Sequence, residues 1–167
     1  MVEIAPGLRR WTAFHDHWEE DVGSLAVETS DGLVLIDPID PPSEVAAADH
    51  VLITVYWHGR STGTLGAKRV WAPARSERPL KSRGIEVTDP FRAGDALPGG
   101  IRAFQTARSA EVVYWLPDQR AVVVGGAGSE SPPGGVEDLL EPPQPATASR
   151  AAVTTPMEKS LRMGAAY

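Results

Sequence analysis

"VLITVYWHGRST", residues 51–62, is the stretch that decides the fold of this 167-residue chain. Its first part is a continuous run of β-branched and aromatic side chains, which is typical of a strand buried on both faces. The run passes into a loop that holds one histidine, His58, among bulky and cationic neighbours. The stretch therefore predicts a strand end that is a metal site, the remains of one, or a packed turn.

Two further strands precede this run. "GSLAVET" (23–29) and "GLVLIDP" (32–38) flank a glycine-containing turn, which predicts an antiparallel pair. The second strand ends at Asp37, because the proline that follows lacks an amide hydrogen and disfavours helix at the preceding residue. "PPSEVAAADH" (41–50) then predicts a short helix that leads into the buried strand.

Strand and helix patterns alternate after the run as well. "GRSTGTLGAK" (59–68) predicts a short helix and "RVWAP" (69–73) a strand, which together indicate a strand–helix–strand unit in a layered α/β domain. Three more strands are predicted at "IRAFQT" (101–106), "VVYWLP" (112–117) and "RAVVVGG" (120–126). The prolyl turn between the last two favours a hairpin.

Composition and charge exclude several classes of protein. The chain is 42% apolar and 23% charged, which is ordinary for a globular domain, and its formal charge of -6 argues against binding nucleic acid through phosphates. The basic-rich patch at 75–84 is interrupted by acid and proline and is interpreted as a solvated loop. The absence of cysteine leaves the redox compartment undetermined. Without an apolar leader or an apolar run of membrane-spanning length, the chain is expected in the cytoplasm, away from membranes.

The chain divides near residue 127. Residues 1–127 are predicted to form one domain, whereas residues 128–167 contain six of the fifteen prolines and few large apolar side chains. Such a segment buries too little surface to offset its ordering entropy, which predicts a largely disordered tail. One alternative function follows from this tail, namely a structural or interaction protein that uses it as a linker or partner segment.

The order of these elements resembles the metallo-β-lactamase-fold hydrolases over roughly residues 6–127. The likeness rests on "GSLAVETSDGLVLIDP", "ADHVLITVYWHGRS", "FRAGDALPGGIRAFQTA" and "VVYWLPDQRAVVVGG". The resemblance implies an α/β (α+β) protein with a four-layer αββα sandwich, a site at one strand edge and two zinc ions that activate hydroxide. Since the later part of the chain departs from the family pattern, we expect an altered or incomplete second half.

The family's metal ligands are largely missing. Family members follow the strand-end threonine with His-x-His-x-Asp-His, whereas here Thr54 is followed by Val55, Tyr56, Trp57, His58, Gly59 and Arg60. Zinc needs imidazole, carboxylate or thiolate ligands, which valine and tryptophan lack, and a guanidinium repels the ion. Shifting the register by one residue recovers only His58. Trp57 is expected to fill part of the vacated site.

Three other family ligand positions carry no ligand either. The downstream histidine loop is "QTARSAE" (105–111), and Gly125 is followed by a second glycine where the bridging aspartate is expected. The last family histidine would fall in the tail, which contains none. The resemblance therefore implies a fold without its zinc site and without any expected cofactor.

We hypothesise that the former active-site edge binds a small anionic molecule. Arg60 and Arg108 border the lost centre, with Tyr56 and His58 nearby, and two guanidinium groups suit a carboxylate or phosphate. Asp37 matches the carboxylate beneath the family's metal centre, where it either supports that centre or accepts hydrogen bonds from loop amides. An uncovered sheet face in an incomplete sandwich also predicts a homodimer.

The alternative enzyme hypothesis is an active metallo-hydrolase with an unusual ligand set. His15 and His17 lie on one side of an extended segment, and folding over the strand ends would bring them to His58 and Asp37. Nucleophilic catalysis is not indicated, because the candidate serines Ser61, Ser109 and Ser129 have no recognisable base and orienting partner.

Overall fold

The computed structural model describes residues 1–108 and 110–125, so the predicted tail at 128–167 lies outside the described residues. The strands in these ranges are β1 Val2–Ala5, β2 Leu8–His15, β3 Glu20–Thr29, β4 Gly32–Ile36, β5 His50–Leu52, β6 Arg69–Pro73, β7 Asp89–Phe91, β8 Arg102–Gln105, β9 Val112–Leu116 and β10 Ala121–Val124. The helical segments are α1 Glu77–Lys81 and 3₁₀ turns at Tyr56–Thr64, Ala74–Ser76 and Pro98–Gly100.

Two sheets organise the chain. The first has the order β1-β2-β3-β4-β5-β6-β7 and the second β10-β9-β8. Pairing is antiparallel from β1 to β4 and throughout the second sheet, and parallel from β4 to β7. The predicted hairpin is present, with Thr29 paired to Gly32, whose φ of 114° favours glycine. A Cβ at Gly32 would also collide with the Asp49 carboxylate.

The core lies on both faces of the first sheet. Alternate residues of β3 and β4, such as Val27 and Val34, pack against Tyr114 and Leu116 of the second sheet. The intervening residues Ala26 and Leu35 pack under the 3₁₀ turn and α1 on the other face. The described residues thus form a helical layer and two sheets, which are three of the four layers of an αββα sandwich.

The outer face of the second sheet carries two large exposed side chains, Phe104 of β8 and Val124 of β10, at 49% and 55% exposure. Both lie on the face opposite Tyr114, because side chains alternate along a strand. Among the described residues nothing forms a fourth layer over this face. No helix in the described ranges is both long and apolar enough to span a membrane.

The predicted helix at 41–50 is wrong. The structure has two successive turns there, closed by hydrogen bonds from Val45 N to Pro42 O and from Ala46 N to Ser43 O. Val45 is fully buried, and Asp49 accepts a hydrogen bond from the Leu33 amide at 3.0 Å. These tertiary contacts draw the segment directly into β5 and leave no length for a continuous helix.

The N-terminal strands β1 and β2 were not predicted. Trp11 of β2 is 5% exposed and donates from Nε1 to the Ile39 carbonyl at 2.7 Å. The hairpin that joins β2 to β3 carries His15 and Trp18, whose rings stack at 4.2 Å. Trp18 also lies edge-on to His58 with centroids 6.0 Å apart, so this hairpin folds over the end of the sheet.

Candidate functional site

The carboxyl ends of β4 and β5 bring Asp37, Thr54 and His58 together. Asp37 Oδ1 accepts the Thr54 amide at 2.8 Å, and Asp37 Oδ2 accepts the Thr54 hydroxyl at 2.5 Å. The same Oδ2 lies 2.8 Å from His58 Nδ1, which lies 2.9 Å from Thr54 Oγ1. All three residues are buried, so both carboxylate oxygens are already bonded inside the protein.

This cluster cannot act as a nucleophile–histidine–carboxylate relay. A carboxylate only accepts, so His58 must carry its proton on Nδ1, the nitrogen that faces both Asp37 and Thr54. A relay needs the hydroxyl and the carboxylate on opposite ring nitrogens. Thr54 is also fully buried. The arrangement therefore fixes the strand end and activates no hydroxyl.

The serine candidates add no such relay. Ser61 Oγ contacts only Asp40 among the described residues, receiving its amide at 2.9 Å and donating to its carboxylate at 3.3 Å. Ser109 and Ser129 lie outside the described residues.

Asp37 sits in a backbone conformation that its surroundings hold in place. Its φ is 47°, in the left-handed region, where a non-glycine residue is uncommon. Its carbonyl accepts hydrogen bonds from Ser24 Oγ at 2.7 Å and from the Arg60 guanidinium at 3.0 Å. These bonds hold the backbone of the residue whose carboxylate accepts the Thr54 amide and hydroxyl.

A buried tyrosine supports the same strand end from the second sheet. Tyr114 is 0% exposed and donates its hydroxyl to the Ile53 carbonyl at 2.8 Å. Burial raises the pKa of the Tyr114 phenol well above its usual value, and the charge of Asp37 adds to that rise. The phenol therefore stays neutral and acts as a hydrogen-bond donor.

The positions that hold metal ligands in the resembling family are occupied here by residues that cannot bind a metal ion. Val55 is fully buried. Gly59 occupies the aspartate position, and a Cβ there would lie 2.8 Å from Leu80 and still closer to Ile85, so no larger side chain fits without a shift. Trp57 is half-buried and lines the cleft described below.

The Arg60 guanidinium is hydrogen-bonded within the protein rather than free in solvent. It has a φ of 38° and donates to the carbonyls of Gly23 at 3.1 Å and Asp37 at 3.0 Å. Its guanidinium carbon also lies 5.5 Å from the centroid of the Trp18 ring. Partial burial lowers the pKa of this guanidinium while the charge of Asp37 raises it. A cation held at this place opposes binding of a metal ion.

A cleft of about 410 Å³ lies beside this residue. Its lining combines two guanidinium groups, one imidazole and one indole with small residues: His15, Trp57, Arg60, Gly63, Thr64, Arg83, Gly84 and Ile85. Among the described residues no carboxylate lines it. The cleft is therefore suited electrostatically to an anion.

The structure brings only some of the predicted anion-binding residues together. Arg60 lines the cleft. His58 does not line it, but its ring lies edge-on to that of Trp57, which does, with the centroids 6.2 Å apart. Tyr56 packs outside, with the Arg83 guanidinium 5.3 Å from its ring centroid. Arg108 is exposed and lines neither this cleft nor the second cavity of the described residues. The second guanidinium at the cleft is Arg83, which sequence reasoning had assigned to a solvated loop.

The unusual ligand set for a metallo-hydrolase is not assembled in the described part of the chain. Asp37 and His58 are in contact, but His15 stacks on Trp18 and His17 is exposed in the hairpin turn. Within residues 1–108 and 110–125, no group of three or more histidine, aspartate or glutamate side chains is placed to hold a metal ion. These residues do not fit the two-zinc centre that the fold implies.

Solved structures share this arrangement of sheets. The metallo-β-lactamase DIM-1 matches with a TM-score of 0.57 at 14% identity, over 72% of this chain and 65% of that structure. FIM-1 from Pseudomonas aeruginosa, in its mono-zinc form, gives 0.54 at 15% identity, over 72% and 66%. A metallo-β-lactamase family protein from Thermus thermophilus gives 0.53 at 15% identity, over 72% and 59%.

The chain has the metallo-β-lactamase fold, as the sequence predicted. It spans 59 to 66% of the length of those three structures. Neither a protein-family model nor a curated protein matches the sequence. At such low identity the likeness defines the fold alone, so the function has to be argued from the side chains of this chain.

Proposed function

We propose that this metallo-hydrolase-fold protein has lost its dinuclear zinc site and binds a small anion at the cleft beside Arg60. The observation that carries the first half is the closed network at the strand end. Both Asp37 oxygens and the Nδ1 atom of His58 are already bonded within the protein. A metal ion would have to displace these bonds and approach the Arg60 cation.

The second half of the proposal rests on the charges at the cleft. Arg60 and Arg83 both line it, and neither forms a salt bridge with the described residues. Arg60 is held by two carbonyls, so it loses little further freedom when an anion binds. The Trp57 indole offers an adjacent flat surface. We propose a carboxylate or phosphate on a small planar body as the ligand class.

Zinc content tests the first half. The full chain is purified without a histidine tag, supplemented with zinc, dialysed and analysed for metal. We expect well under about a tenth of an equivalent, since a catalytic zinc site takes about three protein ligands. About one zinc ion per chain would overturn the proposal and favour the active metallo-hydrolase.

Calorimetric titration with inorganic phosphate and with benzoate tests the second half. Arg83→Gln removes one cation from the cleft without touching the buried network, and we expect about tenfold weaker binding. Arg78→Gln is the matched control, because Arg78 is exposed on α1 and lines no cavity of the described residues. Equal losses in both variants would mean a diffuse charge effect, and no binding of either probe would reject the site.

A further inference from the structure

A larger cavity, of about 740 Å³, lies farther along the same edge of the first sheet, at the carboxyl ends of β6 and β7. It is formed where β6, β7 and β8 end, by the residues that close each strand and the loops that follow. Its lining is Pro73, Ala74, Arg75, Phe91, Arg92, Ala93, Gln105, Thr106, Ala107 and Val112. The carboxyl ends of neighbouring parallel strands are a general place for ligands in sheets of this kind. No residue is shared with the cleft beside Arg60.

The floor of this cavity is apolar. Phe91 and Val112 are 2% and 1% exposed and belong to the core between the sheets. The polar wall is held by its own hydrogen bonds, because Gln105 Nε2 donates to the Glu111 carbonyl at 2.7 Å and Thr106 Oγ1 accepts the Arg108 amide at 3.1 Å. The cavity is therefore formed in advance of any ligand.

Two arginines at this cavity have no ionic partner in the described part of the chain. Arg75 and Arg92 make no side-chain hydrogen bond or salt bridge there, whereas Arg9 pairs with Glu28 and Arg69 with Asp89. The lining contains no carboxylate.

Two acidic side chains lie near the cavity without lining it, Asp95 and Glu111. The Asp95 carboxylate accepts the backbone amide of Arg92 at 2.8 Å, and the buried Glu111 carboxylate lies 3.3 Å from Thr106 Oγ1. Neither bonds a guanidinium at the cavity. The cavity thus combines unpaired cations with an apolar floor.

We propose that this cavity binds a carboxylic acid with an apolar body. The carboxylate lies between the Arg75 and Arg92 guanidinium groups, and the apolar body covers Phe91 and Val112. The volume falls in the range of pockets that enclose small organic ligands, and one charged end on a mainly apolar lining is their usual chemistry. A charge-assisted contact to guanidinium gives orientation, and burial of the body gives affinity.

Calorimetric titration of the full chain separates these two contributions. Octanoate carries both features, octanol only the apolar body, and acetate only the charge. We expect octanoate to bind more tightly than either of the other two probes. Arg75→Gln with Arg92→Gln should weaken octanoate by about tenfold or more and leave octanol unchanged. Arg102→Gln, on an exposed strand position away from the cavity, is the matched control.

A second variant tests the cavity itself. Ala107→Trp places a large side chain at an exposed lining residue, so it fills the space without altering the core. We expect it to abolish octanoate binding while the unfolding transition stays cooperative. The proposal is overturned if octanoate does not bind, if acetate binds equally well, or if the double arginine variant and Ala107→Trp leave affinity unchanged. Loss of octanoate binding in Arg83→Gln would place the ligand in the other cleft and equally reject this site.

Discussion

Two regions along the carboxyl-end edge of the first sheet use their polar side chains in opposite ways. At the ends of β4 and β5, Asp37, Thr54 and His58 are buried and bonded to one another. At the ends of β6 and β7, Arg75 and Arg92 are exposed beside a cavity and make no side-chain bond with described residues. Polar groups that hydrogen-bond to one another stabilise the fold, whereas unpaired cations stay available to a ligand. In this chain the closed region, called the closed edge below, lies around Thr54, where the resemblance places the first metal ligands.

The largest effect on stability is expected at Asp37. Asp37→Ala leaves the Thr54 amide, the Thr54 hydroxyl and His58 Nδ1 without their acceptor, and alanine also tolerates the left-handed backbone poorly. We expect a loss of about 3–5 kcal/mol in the free energy of unfolding, as for other broken buried ionic networks. Urea denaturation followed by tryptophan fluorescence measures it.

Asp40→Ala is the control for that substitution. Asp40 also has a positive φ, of 39°, but its side chain is exposed and bonds only Ser61 among the described residues. Its loss should be far smaller than that of Asp37→Ala. A loss below about 1 kcal/mol for Asp37→Ala would show that the network contributes little and that the closed edge is not a stabilising one.

Restoring family ligands at the closed edge should weaken the protein. Val55→His with Trp57→His puts a polar ring into a fully buried position and removes a half-buried indole. We expect a loss on the order of 2–4 kcal/mol. Zinc should not reverse it, because the Arg60 cation remains beside the strand end. Thermal unfolding with and without zinc measures both effects, and an unchanged midpoint that rises with zinc would reveal an open metal pocket.

The closed edge should also respond to alkaline pH through Tyr114. Its folded pKa is raised above the unfolded value of about 10, so its stabilisation is complete below about pH 10 and is lost as pH rises toward the folded pKa. Tyr114→Phe should cost about 1–2 kcal/mol at neutral pH, because the Ile53 carbonyl loses its donor.

The same variant should flatten the loss of stability above about pH 10. Tyr56→Phe serves as the control, since Tyr56 is half-buried and its hydroxyl has no hydrogen bond among the described residues. A slope unchanged in Tyr114→Phe would mean that another group dominates the alkaline transition.

Sequence patterns predicted the elements whose environment is local and periodic. The β3–β4 hairpin and the strands β8 to β10 have alternating or continuous apolar runs bounded by turn residues, and they formed as predicted. Strand β2 was not predicted, because the adjacent residues Arg9 and Arg10 interrupt the alternation of apolar and polar side chains. The turn segment at 41–50 was mistaken for helix because its alanines favour helix, while burial of Val45 decided otherwise.

The site was only partly predictable, for a physical reason. Asp37, His58 and Arg60 are near one another in the strand pattern, and sequence reasoning selected all three. Arg83 reaches the first cleft from a loop after α1, and Arg92 reaches the second cavity from the end of β7. Which loops meet depends on tertiary packing, which residue spacing does not encode. Arg83 follows a helix of five residues and Arg92 a strand of three, and elements this short give no clear periodic pattern in the sequence.

The smallest effect on stability is expected for the two arginines at the open cavity. Arg75→Gln with Arg92→Gln should change the free energy of unfolding by no more than about 0.5 kcal/mol, as is usual for exposed residues without partners. The same double substitution is expected to weaken octanoate binding, so it should reduce ligand affinity without reducing stability. Parallel urea denaturation and calorimetry on one preparation measure both. A stability loss comparable to that of Asp37→Ala would mean that these arginines are structural, and the contrast between the two regions would disappear.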